Sequence, residues 1–375
     1  MKIPYLDLYR DHQQFQEELD MVITQSIQES RFINGPAVQK FAFELGEFME
    51  GLYVVPCGNG TDALMLSLMA LDLKLGDKVA VPTFTYIASA EVIALLRLTP
   101  VLIDVELDSF NIDPKDLEAK LKEHDVKAVI PVHLYGQPAD MQEIMRLKNK
   151  YGFAIVEDNA QALGSKAAVE GSKKLAGSFG EFSTTSFFPT KVLGCLGDGG
   201  AVFTKDDQLY DYCKKIANHG QTKKYHHDFV GVNSRLDTIQ AAILSLKLKR
   251  LERNLELRNE LAGLFNEGLS QLDWIRTPVV SNGNTHVYHQ YTLRVLEGKR
   301  DSLQSFLLDN GIPSTVYYPV PMHLQKGYDY LGYAKGDFPV AEQLTEEVLS
   351  IPIFPYMKEE EQQYVIETIK SFEAG

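Results

Sequence analysis

Residues 53–64 read Tyr53-Val54-Val55-Pro56-Cys57-Gly58-Asn59-Gly60-Thr61-Asp62-Ala63-Leu64, and the helical pattern begun at Asp62 runs on to Leu73. Tyr53 to Cys57 is a short extended run, Gly58 to Thr61 a glycine-rich turn, and Asp62 to Leu73 is apolar around most of its circumference. A helix with almost no polar face has to be covered on all sides, which places it inside an α/β structure. The same stretch leaves helix N-terminal amides and the Thr61 hydroxyl free, an anion site by geometry and dipole. An ordinary strand-to-helix turn has this composition too. The stretch decides the fold class and leaves the chemistry open.

Working outward, the same alternation repeats. Lys78 to Pro82, Val101 to Asp104, Ala128 to Val132 and Phe153 to Asp158 are continuous apolar runs. Helical patterns separate them, from Tyr86 to Leu96, Pro114 to Lys122 and Ala139 to Lys150. Apolar strands between helices predict a mostly parallel sheet covered on both faces. Ligands bind such sheets beyond the carboxyl ends of the strands, where Thr61, Tyr86, His133 and Asp158 fall. Upstream, Lys2 to Phe32 reads as an arm and a helix, and Ala37 to Glu50 as a second helix. Downstream, Asp206 to Ala217 is helical and Leu236 to Leu269 is one long charged helix linking two domains. Beyond it Tyr288 to Val295 alternates like a half-exposed strand, and Ser314 to Tyr318 is a further strand. Helices over Arg300–Asn310, Pro339–Glu347 and Lys358–Phe372 complete a small α+β domain. The expected division is a large domain over 1–250 with an N-terminal arm and a small one over 251–375.

Phe182 to Phe188 and Gly200 to Thr204 read as two strands flanking Ser186-Phe187-Phe188-Pro189-Thr190-Lys191 and the glycine-rich run Val192 to Gly200. One lysine stands between an aromatic support and a loop that few side chains could occupy. A covalent cofactor site needs that arrangement, because the amine is held rigidly while backbone approaches a bulky ligand. A surface lysine in a tight turn looks the same in isolation.

Composition narrows the options. Asp plus Glu number 51 and Lys plus Arg 37, a net charge of −14, which disfavours nucleic acid as a partner. No apolar run approaches the roughly 20 residues of a membrane span, and the N-terminus lacks a signal-peptide core, so a cytoplasmic location without membrane insertion is expected. Cys57, Cys195 and Cys213 have no CxxC spacing, and neither a disulfide nor a metal site is expected.

If the lysine's partner is pyridoxal 5′-phosphate, four further groups are required. The phosphate needs neutral donors, which Gly60, Thr61 and Ser186 supply. The pyridine nitrogen needs a carboxylate to stay protonated, and Asp158 ends a buried strand. A flat lid is offered by Tyr86, and a polar neighbour for the ring oxygen by Gln161. Glu157 and Asp158 alone would serve equally as caps of the Asn159 turn.

Gly60-Thr61-Asp62-Ala63-Leu64, Pro82-Thr83-Phe84-Thr85-Tyr86, Glu157-Asp158-Asn159-Ala160-Gln161, Ser186 to Lys191 and Asn233-Ser234-Arg235-Leu236 occur in this order. Together they resemble the DegT/DnrJ/StrS family of nucleotide-sugar aminotransferases over essentially the whole chain. The resemblance implies an α/β protein of PLP fold type I, aspartate aminotransferase-like. It also implies that Lys191 is the catalytic, cofactor-bearing lysine, that Asp158 pairs with the pyridine nitrogen, and that Thr61 and Ser186 hold the phosphate. Tyr86 would stack on the ring, Gln161 contact its oxygen, and Asn233 reach the cofactor of a partner subunit in an obligate homodimer. The loop from His219 to Asp237 is similar to the 3-keto-sugar branch, which includes the enzyme aminating UDP-2-acetamido-3-keto-glucuronate and enzymes acting on dTDP-3-keto-6-deoxyhexoses. Arg235, Tyr317, Tyr318 and His323 would then bind substrate, with Tyr317 standing where the family more often has histidine. Amino-sugar biosynthesis, including that of lipopolysaccharide O-antigens, with L-glutamate as donor and 2-oxoglutarate as product, is the implied function. Amination at C4, dehydration or lyase chemistry on the same fold, and a silent ligand-binding paralogue are the alternatives. Dehydrating members carry histidine at the lysine's position.

Overall fold

The computed structural model describes residues 1–281 and 283–372; residues 282 and 373–375 of the expected small domain lie outside the described residues. The N-terminal arm ends at Asp7, whose carboxylate accepts from the Arg10 amide and starts α1 (Leu8–Gln13). A break at Phe15 separates it from α2 (Gln16–Glu29), so the expected single helix is two pieces. Phe15 is buried at that break, with Arg250 lying 4.8 Å over its ring. Pro36 then opens α3 (Pro36–Phe48), where its missing N–H costs no hydrogen bond.

The opening stretch folds as read. β1 (Tyr53–Cys57) leads into α4 (Gly60–Ala70), which is buried along most of its length. The alternation continues through β2 (Lys78–Pro82), α5 (Ala88–Leu95), β3 (Thr99–Ile103), α6 (Pro114–Glu123), β4 (Val126–Val129), α7 (Met141–Tyr151) and β5 (Ala154–Asp158). A short hairpin, β6 (Lys166–Val169) and β7 (Ser172–Leu175), which the sequence pattern did not reveal, precedes β8 (Phe182–Ser186) and β9 (Gly200–Thr204). The sheet order is β1-β9-β8-β5-β4-β2-β3. β9 runs antiparallel to both neighbours while β8, β5, β4, β2 and β3 pair in parallel. One edge of the sheet therefore gathers the ends of β1, β2, β4, β5 and β8 and the start of β9.

After α8 (Asp207–Ile216) comes an exposed two-stranded hairpin, β10 (Gln221–Lys223) and β11 (His226–His227). The long helix expected from Leu236 is broken at Lys249–Arg250 into α9 (Thr238–Leu248) and α10 (Leu251–Leu269). α9 packs on α2 and α3, whereas α10 turns its Leu261, Phe265 and Leu269 to the small sheet. No straight helix serves both directions.

The small sheet is β12 (Ile275–Arg276), β13 (Tyr291–Val295) and β14 (Val348–Ile351), all antiparallel with β13 in the centre. All of β13 is buried, not half-exposed as its alternation suggested. Its polar side chains are covered because they are satisfied: Thr292 Oγ1 meets Ser350 Oγ at 2.8 Å, and Arg294 pairs with Glu347 at 2.8 Å and Asp108 at 3.0 Å. Residues 314–318 form no strand, only a single bridge from Thr315 to Ser350. α11 (Arg300–Asp309), α12 (Pro339–Glu347) and α13 (Glu359–Lys370) cover the small sheet and its flank. Two stretches cross the expected division. Ile3 of the arm packs in the small sheet's core, and Met322, Tyr328, Phe338 and Leu344 pack in the large sheet's.

Candidate active site

The gathered sheet edge is closed down by close backbone approaches. A Cβ on Gly60 would lie 2.8 Å from Ser186 Cβ, and one on Gly200 only 2.4 Å from the Asn59 carbonyl oxygen. Glycine at both positions lets the start of α4 touch the end of β8. Asn59 accepts from the Asp62 amide through Oδ1 at 2.8 Å and from the Ala63 amide through its carbonyl at 3.1 Å. The amides of Gly60 and Thr61 are left without a helical partner at the positive end of the helix. Ser234, missed by sequence reasoning, accepts from the Gly58 amide at 2.9 Å and donates to Asp62 Oδ2 at 2.6 Å. It pins the 233–235 segment to the first turn of α4.

Glu157 and Asp158 are adjacent on β5 and point opposite ways, as strand neighbours do. Glu157 is fully buried and takes the amides of Gly177, Phe179 and Gly180 at 2.7–2.8 Å. Its remaining partner is His133: Nδ1 accepts from the Ala139 amide at 3.1 Å, so Nε2 carries the hydrogen and donates to Glu157 Oε2 at 3.0 Å. Both are occupied in holding the 177–180 loop. Asp158 receives the Ser89 hydroxyl at 2.8 Å and the Ala160 amide at 3.2 Å. Ser89, a second residue not anticipated, has no sequence signal beyond following Tyr86 by a helical turn.

Lys191 sits in a tight turn, its amide bonded to the Phe188 carbonyl at 2.8 Å. Its amine makes no hydrogen bond or ion pair among the described residues. Burial pushes the amine down to about 8, and Asp158 opposes that shift with its charge. Gly194 permits the turn, since a Cβ there would meet the Pro189 carbonyl oxygen at 2.4 Å.

Aromatic side chains form the opposite wall. Tyr86 is 56% exposed and lies 6.2 Å from the Tyr318 ring, tilted by 43°. Gln161 donates to the Tyr318 hydroxyl at 3.2 Å and accepts from the Tyr135 amide at 2.7 Å. The Tyr135 hydroxyl donates to the Tyr317 carbonyl. Tyr318 and Gln161 thus meet, with Tyr317 held beside them. His323, also expected to bind substrate, forms no hydrogen bond to this group. It is buried, with Nδ1 at 2.9 Å from Thr83 Oγ1 and Nε2 at 3.1 Å from Glu342 Oε1. Asn233 is exposed, and Arg235 lines a groove of about 780 Å³ between α3, β1 and α8.

Pyridoxal 5′-phosphate fits this donor set. An unpartnered amine, a buried carboxylate with spare acceptor capacity, and free helix-start amides beside a serine match its aldehyde, ring nitrogen and phosphate.

Comparison with known proteins gives the same direction. The sequence model described as the DegT/DnrJ/EryC1/StrS aminotransferase family matches residues 13–370. A pleiotropic regulatory protein of Geobacillus stearothermophilus is 43% identical over 99% of both chains. The UDP-2-acetamido-2-deoxy-3-oxo-D-glucuronate aminotransferase of Pseudomonas aeruginosa is 41% identical over 95% of this chain and 96% of that one. Among solved structures, NtdA from Bacillus subtilis with bound cofactor PMP superposes with a TM-score of 0.89 at 30% identity, covering 98% of this chain and 84% of that one.

Proposed function

This chain belongs to the DegT/DnrJ/EryC1/StrS aminotransferase family, and from that premise we propose that it moves an amino group from L-glutamate to the 3-keto carbon of a UDP-linked sugar. It is a pyridoxal 5′-phosphate-dependent sugar aminotransferase of fold type I. When bound, the cofactor supplies the electron sink and carries the amino group from one substrate to the other. The single observation that carries the site assignment is the Lys191 amine: without a hydrogen-bond partner on a half-buried residue, brought down to about 8 by desolvation, and within the field of Asp158.

Each protein group has a task that its surroundings suit. Lys191 takes and returns the proton at the carbon bearing the amine, and a value near 8 in place of 10.5 leaves a usable fraction of the amine free to do so near neutral pH. Asp158, oriented by Ser89, keeps a ring nitrogen protonated. The Gly60 and Thr61 amides with Ser186 hold the phosphate. Tyr86 would cover one ring face of the bound cofactor and Gln161 would reach the ring oxygen. Tyr317 and Tyr318 face the sugar, and Arg235 its nucleotide end.

The active unit is a homodimer. Phe32, Ile33, Phe43, Leu196, Tyr225 and Val230 are exposed apolar residues. The Thr238 amide donates to the Phe32 carbonyl, and Gln240 accepts from the Leu196 amide. These bonds bring Phe32 and Leu196 to the start of α9, which follows Asn233 in the chain. A patch of this kind marks an interface, and covering it brings Asn233 toward a second copy.

Replacing Lys191 with Ala tests the assignment. The variant is expected to lose at least about three orders of magnitude in turnover, as removal of a covalent and proton-transfer group does. It should also lose the absorbance of the lysine-bound cofactor. Retained turnover would refute it. Formation of 2-oxoglutarate in step with the amino sugar separates transamination from dehydration, and UDP- and dTDP-linked 3-keto sugars compared side by side decide the nucleotide.

A further inference from the structure

The arm that precedes α1 is fastened at two points and carries an aromatic side chain between them. The Ile3 amide donates to the Gly311 carbonyl at 2.9 Å, and the Ile3 side chain is 1% exposed in the core of the small sheet. Further along, Arg10 grips both carboxylate oxygens of Glu361 at 2.6 and 2.9 Å, and its guanidinium lies 5.4 Å from the Phe354 ring centre. A fork-to-carboxylate pair of this kind fixes direction as well as distance. Arms of this sort are poorly ordered unless tied down, and this one is tied at both ends to the small domain.

Tyr5 lies between the two fastenings and reaches the aromatic wall of the site. Its hydroxyl donates to Gln290 Oε1 at 2.8 Å, and its ring centre is 6.5 Å from that of Tyr317, with the planes tilted by 58°. Burial raises that hydroxyl well above a phenol's ordinary value, so it stays protonated and remains a donor. The Gln290 amide in turn donates to the Tyr135 carbonyl at 3.2 Å, and the Tyr135 hydroxyl donates to the Tyr317 carbonyl. These contacts close a circuit from Tyr5 through Gln290 and Tyr135 to Tyr317, and back to Tyr5. The two halves of Tyr317 are thus held differently. Tyr135 secures its main chain, while its half-buried ring rests between those of Tyr5 and Tyr318, the latter 5.8 Å away at 67°. Both separations lie within the range over which aromatic rings attract. Tyr5 itself has no hydrogen bond or ring contact with Lys191, Asp158, Thr61 or Ser186 among the described residues.

We propose that Tyr5 is a positioning residue for sugar recognition: from the arm it fixes the ring of Tyr317, and so sets how tightly the keto sugar is held. This rests on the reading above in which Tyr317 faces the sugar. A side chain already held in the orientation it adopts against a ligand binds more tightly, because little ordering is left to be done on binding. Nothing links Tyr5 to the groups that hold the cofactor or move the proton, so its effect falls on sugar affinity and spares the chemical step.

The test uses the holoenzyme and follows the two half-reactions separately by cofactor absorbance, one with L-glutamate and one with the UDP-linked 3-amino sugar in reverse. Tyr5→Ala is expected to raise the amino-sugar concentration for half-saturation about 10-fold, near the top of the range for an aromatic pair, with the limiting rate unchanged. Tyr5→Phe keeps the ring, lacks only the hydroxyl, and should raise it about 3-fold, within the worth of a neutral hydrogen bond. Half-saturation by L-glutamate should stay within roughly a factor of two in both variants, under one hydrogen bond's worth. The decisive comparison places Tyr5→Ala in a Tyr317→Ala background. With the Tyr317 ring gone, the second change should add less than about twofold, as expected when one residue acts through the other. If Tyr5→Ala does not fold, the same cycle run with Tyr5→Phe decides the matter. Unchanged sugar half-saturation, equal weakening toward L-glutamate, or full additivity with Tyr317→Ala would overturn the role of Tyr5 and leave the transaminase reading standing. Unchanged sugar half-saturation in Tyr317→Ala alone would instead overturn the placement of Tyr317 against the sugar.

Discussion

A lysine amine brought down to about 8 is chemically useful and energetically awkward at once. Below pH 8 the Lys191 amine is charged in both folded and unfolded chains, and the folded state carries the full cost of burying it. Above its ordinary value of 10.5 it is neutral in both, and the cost vanishes. Replacing Lys191 with Met in the cofactor-free protein should therefore stabilise it at pH 7, by at most about 3 kcal/mol. The difference from wild type should shrink as pH rises from 8 to 10.5, read by denaturant unfolding at several pH values. Ser89 offers a second check at this scale. Ser89→Ala removes a buried donor to Asp158, and turnover should fall roughly 10-fold, about the worth of one hydrogen bond to a charged group. Stability should be less affected than in Asp158→Ala, because the Ala160 amide still reaches the carboxylate.

At the scale of elements, the site exists because particular ends are locked together. Glu157 shows how. Three backbone amides and the His133 N–H all donate to it, so every hydrogen points inward. Glu157→Gln places an NH₂ among donors, and unfolding free energy should fall by about 3–5 kcal/mol, as when one partner of a buried charged network is lost. The loss should appear in thermal unfolding even without cofactor, which separates it from a catalytic defect. Gly60→Ala acts differently. Its new Cβ presses on Ser186, and the expected outcome is a protein that folds but binds pyridoxal 5′-phosphate at least about 10-fold more weakly, since moving the anion site by even a few tenths of an ångström loses charge-assisted bonds. Equilibrium titration with the cofactor reads this directly.

For the whole molecule, the proposed dimer has to overcome a net charge of −14 per chain, and the exposed apolar residues near the start of α9 are what would draw two copies together. Val230→Asp, placed at a residue 89% exposed, should disrupt pairing without disturbing the fold of a subunit. Sedimentation should then report a monomer, and activity should fall with it if Asn233 serves the partner's cofactor. A monomeric but fully active variant would show that each subunit is complete. The mostly parallel sheet and the apolar α4 were legible beforehand, because parallel strands buried on both faces leave a continuous apolar pattern; the order of the strands across the sheet was not, because pairing joins segments distant in the chain. The break at Lys249–Arg250 was not legible, because helical propensity is local and the two directions in which α9 and α10 pack are not. The burial of β13 escaped for a related reason. Thr292 and Arg294 look like a solvated face until Ser350, Glu347 and Asp108 arrive from elsewhere in the chain.

By itself the sequence determined an α/β fold, the alternation of strands and helices from β1 to β5, and a lysine held between an aromatic strand and a glycine-rich turn. Local pattern and backbone stereochemistry suffice for these. Tertiary structure decided which neighbour in a pair is tied into the scaffold. Asp158 faces the lysine while Glu157 holds a loop, because adjacent strand residues point to opposite faces. It enclosed His323 in a pair of hydrogen bonds and left His289 buried with its Nδ1 unpartnered. Partners distant in the chain settle such matters, and only the folded molecule brings them together.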